Sequence, residues 1–432
     1  MALVQKPVRF IVVLCCLGGV CALVGAAASE PQAKAEIRRG EAFLAEQHPV
    51  QAIGAFQAAL EADPESEAAE LGLSSAYRKV FNYREAQGVL ELAIRQHPQS
   101  AAPLLKLGEL EMEAQSYEKA LAHFAQAAKL EPSNAAVYLD FATAHQSRGE
   151  SDRALQDLDQ ALKLAPNAAL GYYLKATIYG ELNQNDEALE AAEKALALQP
   201  GNTRARGLLA RLDVRVDRCA EAAKLLEPLL VSTDIDAEAL YLLARAYECS
   251  GKQELASQAM AKFSERSKRD HADQQSRMQA DFLTIRAGQL ARSNQLAPAL
   301  ELLQQALQQD PQNGKAKLQL AKIYYSRGEI DRARAVIEQA LETNPYQPDS
   351  MYVLALILER QGDLRGALSK LEETIRVDPH ESDAYCEMGR IYLKQKEHAK
   401  AVSALKKAVE ISPGDLDYRR ALREAESSPQ RR

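Results

Sequence analysis

The sequence predicts an all-α fold, an α-solenoid of stacked helix pairs, on three observations. The composition is the first. Ala, Leu, Gln and Glu dominate the 432 residues, aromatics make up only 6% and Trp is absent. These are strong helix formers, and the β-branched runs that a sheet needs are scarce. The second is a proline period. Pro64, Pro98, Pro132, Pro166 and Pro200 stand 34 residues apart, and Pro311, Pro345, Pro379 and Pro413 repeat that spacing. The third is length. A chain of 432 residues is too long for one ordinary core, whereas a fixed period builds a core from stacked neighbours.

In chain order, residues 1–28 differ from everything after them. Lys6 and Arg9 precede an uninterrupted apolar and small run, Phe10 to Ala28, which ends in Ala26-Ala27-Ala28. A positive start, an apolar middle and a small-residue exit describe a secretory signal peptide cleaved after Ala28. An uncleaved anchor is the alternative, because the run is only slightly short of the roughly 20 residues that span a bilayer. Lipidation at Cys21 is a third reading, with Val20 where a small residue is wanted. On all three the repeats lie outside the cytoplasm, periplasmic, secreted or held at a membrane by residues 10–28.

Residues 33–270 then read as seven units and residues 280–415 as four more, separated by a polar insertion at 271–279. Within Ala101–Asn134, Leu104, Leu107 and Gly108 come early, Ala120, Phe124 and Ala127 later, and Pro132 near the end. Ser382–Asp415 repeats the order with Tyr385, Met388, Gly389, Tyr392, Ala401, Leu405, Ala408 and Pro413. The spacing of three and four within each half is helical. Gly149, Asn183, Gly251, Asn294, Gly328 and Gly362 fall in the polar gap between halves, where such residues end helices at positive φ. Each unit is therefore helix A, a tight turn and helix B. Position 8 is Gly or Ala in all units but one (Ser74), and position 20 is Ala in all eleven, from Ala52 to Ala401. Two helices joined by a short turn approach closely only where one offers a small residue.

These residues resemble the tetratricopeptide repeat, with small residues at positions 8, 20 and 27, bulky ones at 4, 7, 11 and 24, and Pro at 32. The likeness covers residues 33–415. Three features depart from it: position 4 is never Trp, unit 6 ends in Asp234 instead of Pro, and the polar stretch Ser264–Gln279 holds the insertion. Lacking Pro and Gly, that stretch reads as a longer helix B projecting from the array, with a loop as the alternative. Residues 416–432 form a capping helix and tail. There Leu416 and Leu422 mark an apolar face, and Arg423 at position 8 leaves a polar outer one.

Nothing catalytic is legible. HExxH, GxxxxGK, GxSxG and Gly-rich phosphate loops are absent, so no enzyme activity and no cofactor are expected. His48, His97 and His380 fall in inter-unit loops, where solvated side chains are expected; His145 is expected to be partly buried and satisfied. Cys219, Cys249 and Cys386 form no CxxC pair, so no metal is expected. A bridge between Cys219 and Cys249 is conceivable in an oxidising compartment, but two buried free thiols are the favoured expectation. The net charge of −7 disfavours nucleic acid, whose phosphates need a basic face.

Similarity to the family implies that helix A lines a concave surface of a right-handed superhelix through positions 2, 5, 9 and 12. Those positions hold Arg204 and Arg211 in unit 6, Tyr241 and Arg245 in unit 7, Lys322 and Tyr325 in unit 9, Tyr352 in unit 10 and Arg390 in unit 11. Arg and Tyr concentrate binding energy, and an Arg ladder suits an acidic segment. The expected role is an extracytoplasmic scaffold that binds a peptide or partner protein. An accessory subunit of an envelope enzyme complex is the alternative.

Overall fold

A computed structural model describes residues 25–231 and 235–427. The signal-peptide or anchor expectation for residues 1–24, the Asp234 departure and the tail at 428–432 lie outside the described residues. None of the described helices is long and apolar enough to cross a membrane.

Helices A and B alternate along the chain, and each helix packs on the next. The turn between them sits at position 15, and all eleven position-15 residues hold positive φ. Gly149, Gly251, Gly328 and Gly362 adopt it without a Cβ penalty, and Asn183 and Asn294 are the side chains that tolerate it best. Gln47, Phe81, Gln115, Asp217 and Lys396 complete the set with less suited side chains. In unit 4 the turn closes with Glu150 N–H donating to the His145 carbonyl at 2.9 Å, the longer of the two bonds that satisfy a helix C-terminus.

Close helix approach explains the small residues. A Cβ at Gly108 would stand 2.3 Å from Phe124, and one at Gly389 would stand 2.5 Å from Leu405. Position 20 is fully buried in ten units; Ala256 of unit 7 is the half-buried exception. Position 24 fills the core, with Phe124, Leu303 and Leu371 at most 1% exposed.

Three junctions depart from the regular pattern. In unit 6, helix B ends at Leu226, followed by a 3-10 turn over Glu227–Val231. Pro228 is the cause, since it cannot continue the hydrogen-bond ladder. At the second junction, helix B of unit 7 and helix A of unit 8 are one continuous helix, Gln253–Arg292. The insertion is therefore neither a loop nor a projecting end; at 40 residues this joint helix is about 60 Å long. With no Pro between Lys252 and Arg292 and no Gly before Gly288, nothing in the sequence breaks it at the insertion.

The third junction joins the ends. Units 1 and 2 pack against units 9 and 10, so the array closes on itself. Ile53, Tyr77 and Val80 share a core with Met351 and Val377. Asn82 donates from Nδ2 to the Val377 carbonyl at 2.7 Å, and the Tyr346 hydroxyl donates to the Gln47 carbonyl at 3.0 Å. His380 Nε2 lies 3.1 Å from Glu85. The capping helix, Leu416–Ser427, buries Tyr418, Ala421 and Ala425 against unit 11. Leu416 is exposed instead of buried, because the face that meets unit 11 runs through Tyr418.

Two histidines expected to be solvated lie against carboxylates: His380 at the closure, and His97, whose Nε2 lies 3.1 Å from the buried Glu70. Burial pushes the Glu70 carboxyl up and His97 opposes it. Glu70 occupies position 4, where most units place a bulky residue, and His97 supplies its polar partner. His145 is partly buried and satisfied, stacked on Phe141 and 2.6 Å from Asp157.

Candidate functional site: a cleft across units 5 to 7

The early end of helix B in unit 6 leaves an opening on the helix A side of the array. The resulting cleft, about 550 Å³, is lined by Tyr173 and Thr177 of unit 5, Thr203, Arg204 and Arg211 of unit 6, and Glu238 of unit 7. Leu226, Leu229 and Leu242 form its apolar floor. Arg204 is exposed and has no ion pair among the described residues. Arg211 is ion-paired with Glu238 across the junction. Exposed pairs of this kind are worth about 0–1 kcal/mol, so an incoming carboxylate can replace Glu238 at little cost.

A disulfide braces the cleft from behind. Cys219 opens helix B of unit 6, Cys249 closes helix A of unit 7, and their Cα atoms stand 5.9 Å apart. The favoured expectation of free thiols is thus corrected. The positive-φ turn at Asp217 delivers Cys219 to the end of the neighbouring helix, within bridging reach. Asp217 completes a group of three donor side chains with these sulfurs, but a bridged pair offers no thiolate to a metal. Cys386 remains as a buried thiol, raised by burial.

The eight sequence-identified residues do not form one surface. Arg204 and Arg211 meet in the cleft. Tyr241 leaves it to lie against Phe263, with ring centres 5.5 Å apart, and Arg245 pairs with Glu248 of its own helix at 3.7 Å. In the C-terminal units, Lys322 is exposed and Tyr325 packs against the core with Arg360 over its ring at 5.9 Å. Tyr352 and Arg390 are neighbours. Burial, with Asp383 and Glu387 close by, raises the Tyr352 hydroxyl, while Arg390 lowers it.

Sequence reasoning missed the acids. Glu387 is 6% exposed and sits beside Glu359, with Arg390 at 3.2 Å and Lys394 paired to Glu359. Burial and then Glu359 raise the Glu387 carboxyl. Around units 3 and 4, burial and Glu109 push Asp140 up to about 7. The cleft itself had a sequence signal: Pro228 is an internal proline in a helix B where the period places none.

A stack of antiparallel helix pairs with a polar cleft on its helix A side defines a helical-repeat scaffold. Family models described as tetratricopeptide repeat match residues 43–110, 111–178 and 290–356, residues 352–415, and residues 169–202. The chain belongs to the tetratricopeptide-repeat family, whose members are generally protein–protein interaction scaffolds that bind proteins or peptides and are typically not catalytic. The unmatched stretch, 203–289, holds unit 6, unit 7 and most of the joint helix. No curated protein matches the chain at a significant level.

Among solved structures, that of pilF from Pseudomonas aeruginosa is 20% identical, with a TM-score of 0.45; the match covers 49% of this chain and 96% of that one. A tetratricopeptide repeat protein from Parabacteroides merdae is 17% identical, with a TM-score of 0.42, covering 55% and 93%. The anaphase-promoting-complex hetero-tetramer Cut9-Hcn1 gives 12% identity and a TM-score of 0.33 over 94% and 97%.

Proposed function

We propose that this protein is an extracytoplasmic scaffold that holds an extended, acidic segment of a partner protein in the cleft between units 5 and 7. The observation that carries this reading is the cleft itself: an open groove of about 550 Å³ with an apolar floor and Arg204 and Arg211 on its wall. A segment laid across it buries apolar side chains on Leu229 and Leu242 while a carboxylate takes Arg204 and then displaces Glu238 from Arg211. Guanidinium groups suit that exchange, because they bind carboxylates in a fixed two-pronged geometry.

Two features support a location outside the cytoplasm: the positive, apolar and small pattern of residues 1–28 and the Cys219–Cys249 bridge, since such bridges persist in oxidising compartments. The acidic balance of the chain weighs against nucleic acid. Membrane attachment, if present, runs through the N-terminal segment.

A photo-crosslinking residue at Thr177, used in intact cells with partners identified by mass spectrometry, tests the reading. Arg204→Glu with Arg211→Glu abolishes the adduct and leaves the melting transition in place. An adduct that survives the double reversal of charge rules the cleft out as the binding site.

A further inference from the structure

The joint helix leaves one inter-unit interface unmade. Elsewhere, helix B of one unit packs on helix A of the next, and position 3 of that helix A is buried in the contact, as at Ala205, Ala316 and Ala384, each 0% exposed. Position 3 of unit 8 is Phe282, which is 62% exposed. Position 24 of helix B packs on its own helix A and also reaches the next one, as Phe56 does at Gly72. It is buried in every unit except unit 7, where Met260 is 38% exposed. Both sides are bare at this junction because the two helices run in line and cannot fold onto each other.

The bare residues share one side of the helix. At 100° per residue, Met260, Ser264, Ser267, Met278, Phe282 and Ile285 form a single stripe, and Met278 and Ile285 are 68% and 63% exposed. No Asp, Glu, Lys or Arg lies within this stripe between Gln253 and Gln289, where His271 is its one titratable side chain; Lys268 and Arg286 stand on one flank. Arg266, Asp270, Arg277 and Asp281 run along the other. Their order reads the same, with charge inverted, from the other end. Arg266 with Asp281 and Asp270 with Arg277 share one centre, between Asp273 and Gln274. Arg266 already bonds Asp270 within the helix at 3.0 Å.

We propose that a second copy of this chain covers the stripe. Two joint helices pack antiparallel about a two-fold axis at that centre, an isologous contact. Arg266 then faces the other copy's Asp281, and Asp270 faces its Arg277, each twice. The small Ser264 and Ser267 receive the other copy's Phe282 and Met278, and Met260 meets its Ile285. The helix B segment of each copy takes the place against the other's unit 8 that its own would take in an uninterrupted array. A parallel pair would set like charges against each other, which selects the antiparallel one.

Light scattering on the purified chain reads the outcome. The expected mass is twice the 47.5 kDa of one chain. Phe282→Asp with Ile285→Asp returns the single-chain mass with unchanged helical circular dichroism, because both side chains are exposed. Arg277→Asp weakens the dimer, and Asp270→Arg in the same chain restores it. Gln274→Cys, next to the two-fold, gives a covalent dimer on oxidation that the chain without this substitution does not give; among the described residues the other cysteines are bridged or buried. A wild-type chain of single mass at its highest soluble concentration overturns the proposal, as does a dimer that persists in the double Asp variant.

Discussion

The junction between units 10 and 11 and the junction between units 7 and 8 use the same positions to opposite effect. In the first, Asp378, Pro379 and His380 turn the chain, helix A of unit 11 folds back on helix B of unit 10, and Leu371 and Ala384 are 0% exposed. In the second there is no proline, the helix runs on, and Met260 and Phe282 remain in solvent. The core of the array is therefore not completed by the helix pair alone. The turn between pairs completes it, and removing the turn exposes residues that would otherwise be interior.

The largest effect expected from this comparison is at position 24. Leu371→Ala opens a cavity in a fully buried site and costs about 2–5 kcal/mol, whereas Met260→Ala in the undimerised chain costs less than about 1 kcal/mol. Denaturant unfolding of both variants checks the difference. Equal costs would mean that the two junctions are packed alike.

The junction between units 6 and 7 lies between these extremes, with its shortened helix B and its disulfide. Reduction of Cys219–Cys249, or Cys219→Ser with Cys249→Ser, lowers stability by about 2–4 kcal/mol, as expected for closing a loop of this length. Thermal unfolding with and without reductant reads it, and Cys386, the one free thiol among the described residues and a buried one, supplies no competing bridge. An unchanged melting transition would show that Pro228 alone shapes the junction.

An effect confined to one pH window belongs to the regular half, where Asp140 is held up to about 7 by burial and by Glu109. A carboxyl raised in the folded state carries a penalty that is absent below 3.8, grows as pH rises toward 7, and is constant above it. Asp140→Asn removes that penalty. The variant's stability relative to wild type therefore rises across this window and then levels off. A difference independent of pH would contradict the assignment.

Much of this was legible because a period of 34 writes the same physics repeatedly. Pro at position 32, Ala at 20 and a turn-forming residue at 15 each recur often enough to fix helix pairs, close packing and direction. Phe81 and Lys396 show the limit: both hold positive φ with side chains that no sequence rule would place there, because neighbouring packing overrides local preference. The joint helix was half legible. The absence of Pro and Gly from Ser264–Gln279 argued for helix, but the fusion with unit 8 depends on the turn that is missing. Closure of units 1 and 2 onto units 9 and 10 was not legible at all, since it joins residues almost 300 positions apart. At the cleft, Arg204 and Arg211 were found by register. Their neighbour Glu238 stands in register at position 2 and was missed because only basic and aromatic side chains were read there, whereas Glu387, at position 6, lies outside the positions that line the groove in a regular unit.

One distance tests the account most directly: that between spin labels at Ser257 and Gln289, both exposed, in doubly labelled chain diluted with unlabelled chain. A continuous helix places the two backbones about 48 Å apart at 1.5 Å per residue. A separation of roughly 20 Å or less, as two helices packed side by side would give, would mean that the chain turns back between units 7 and 8.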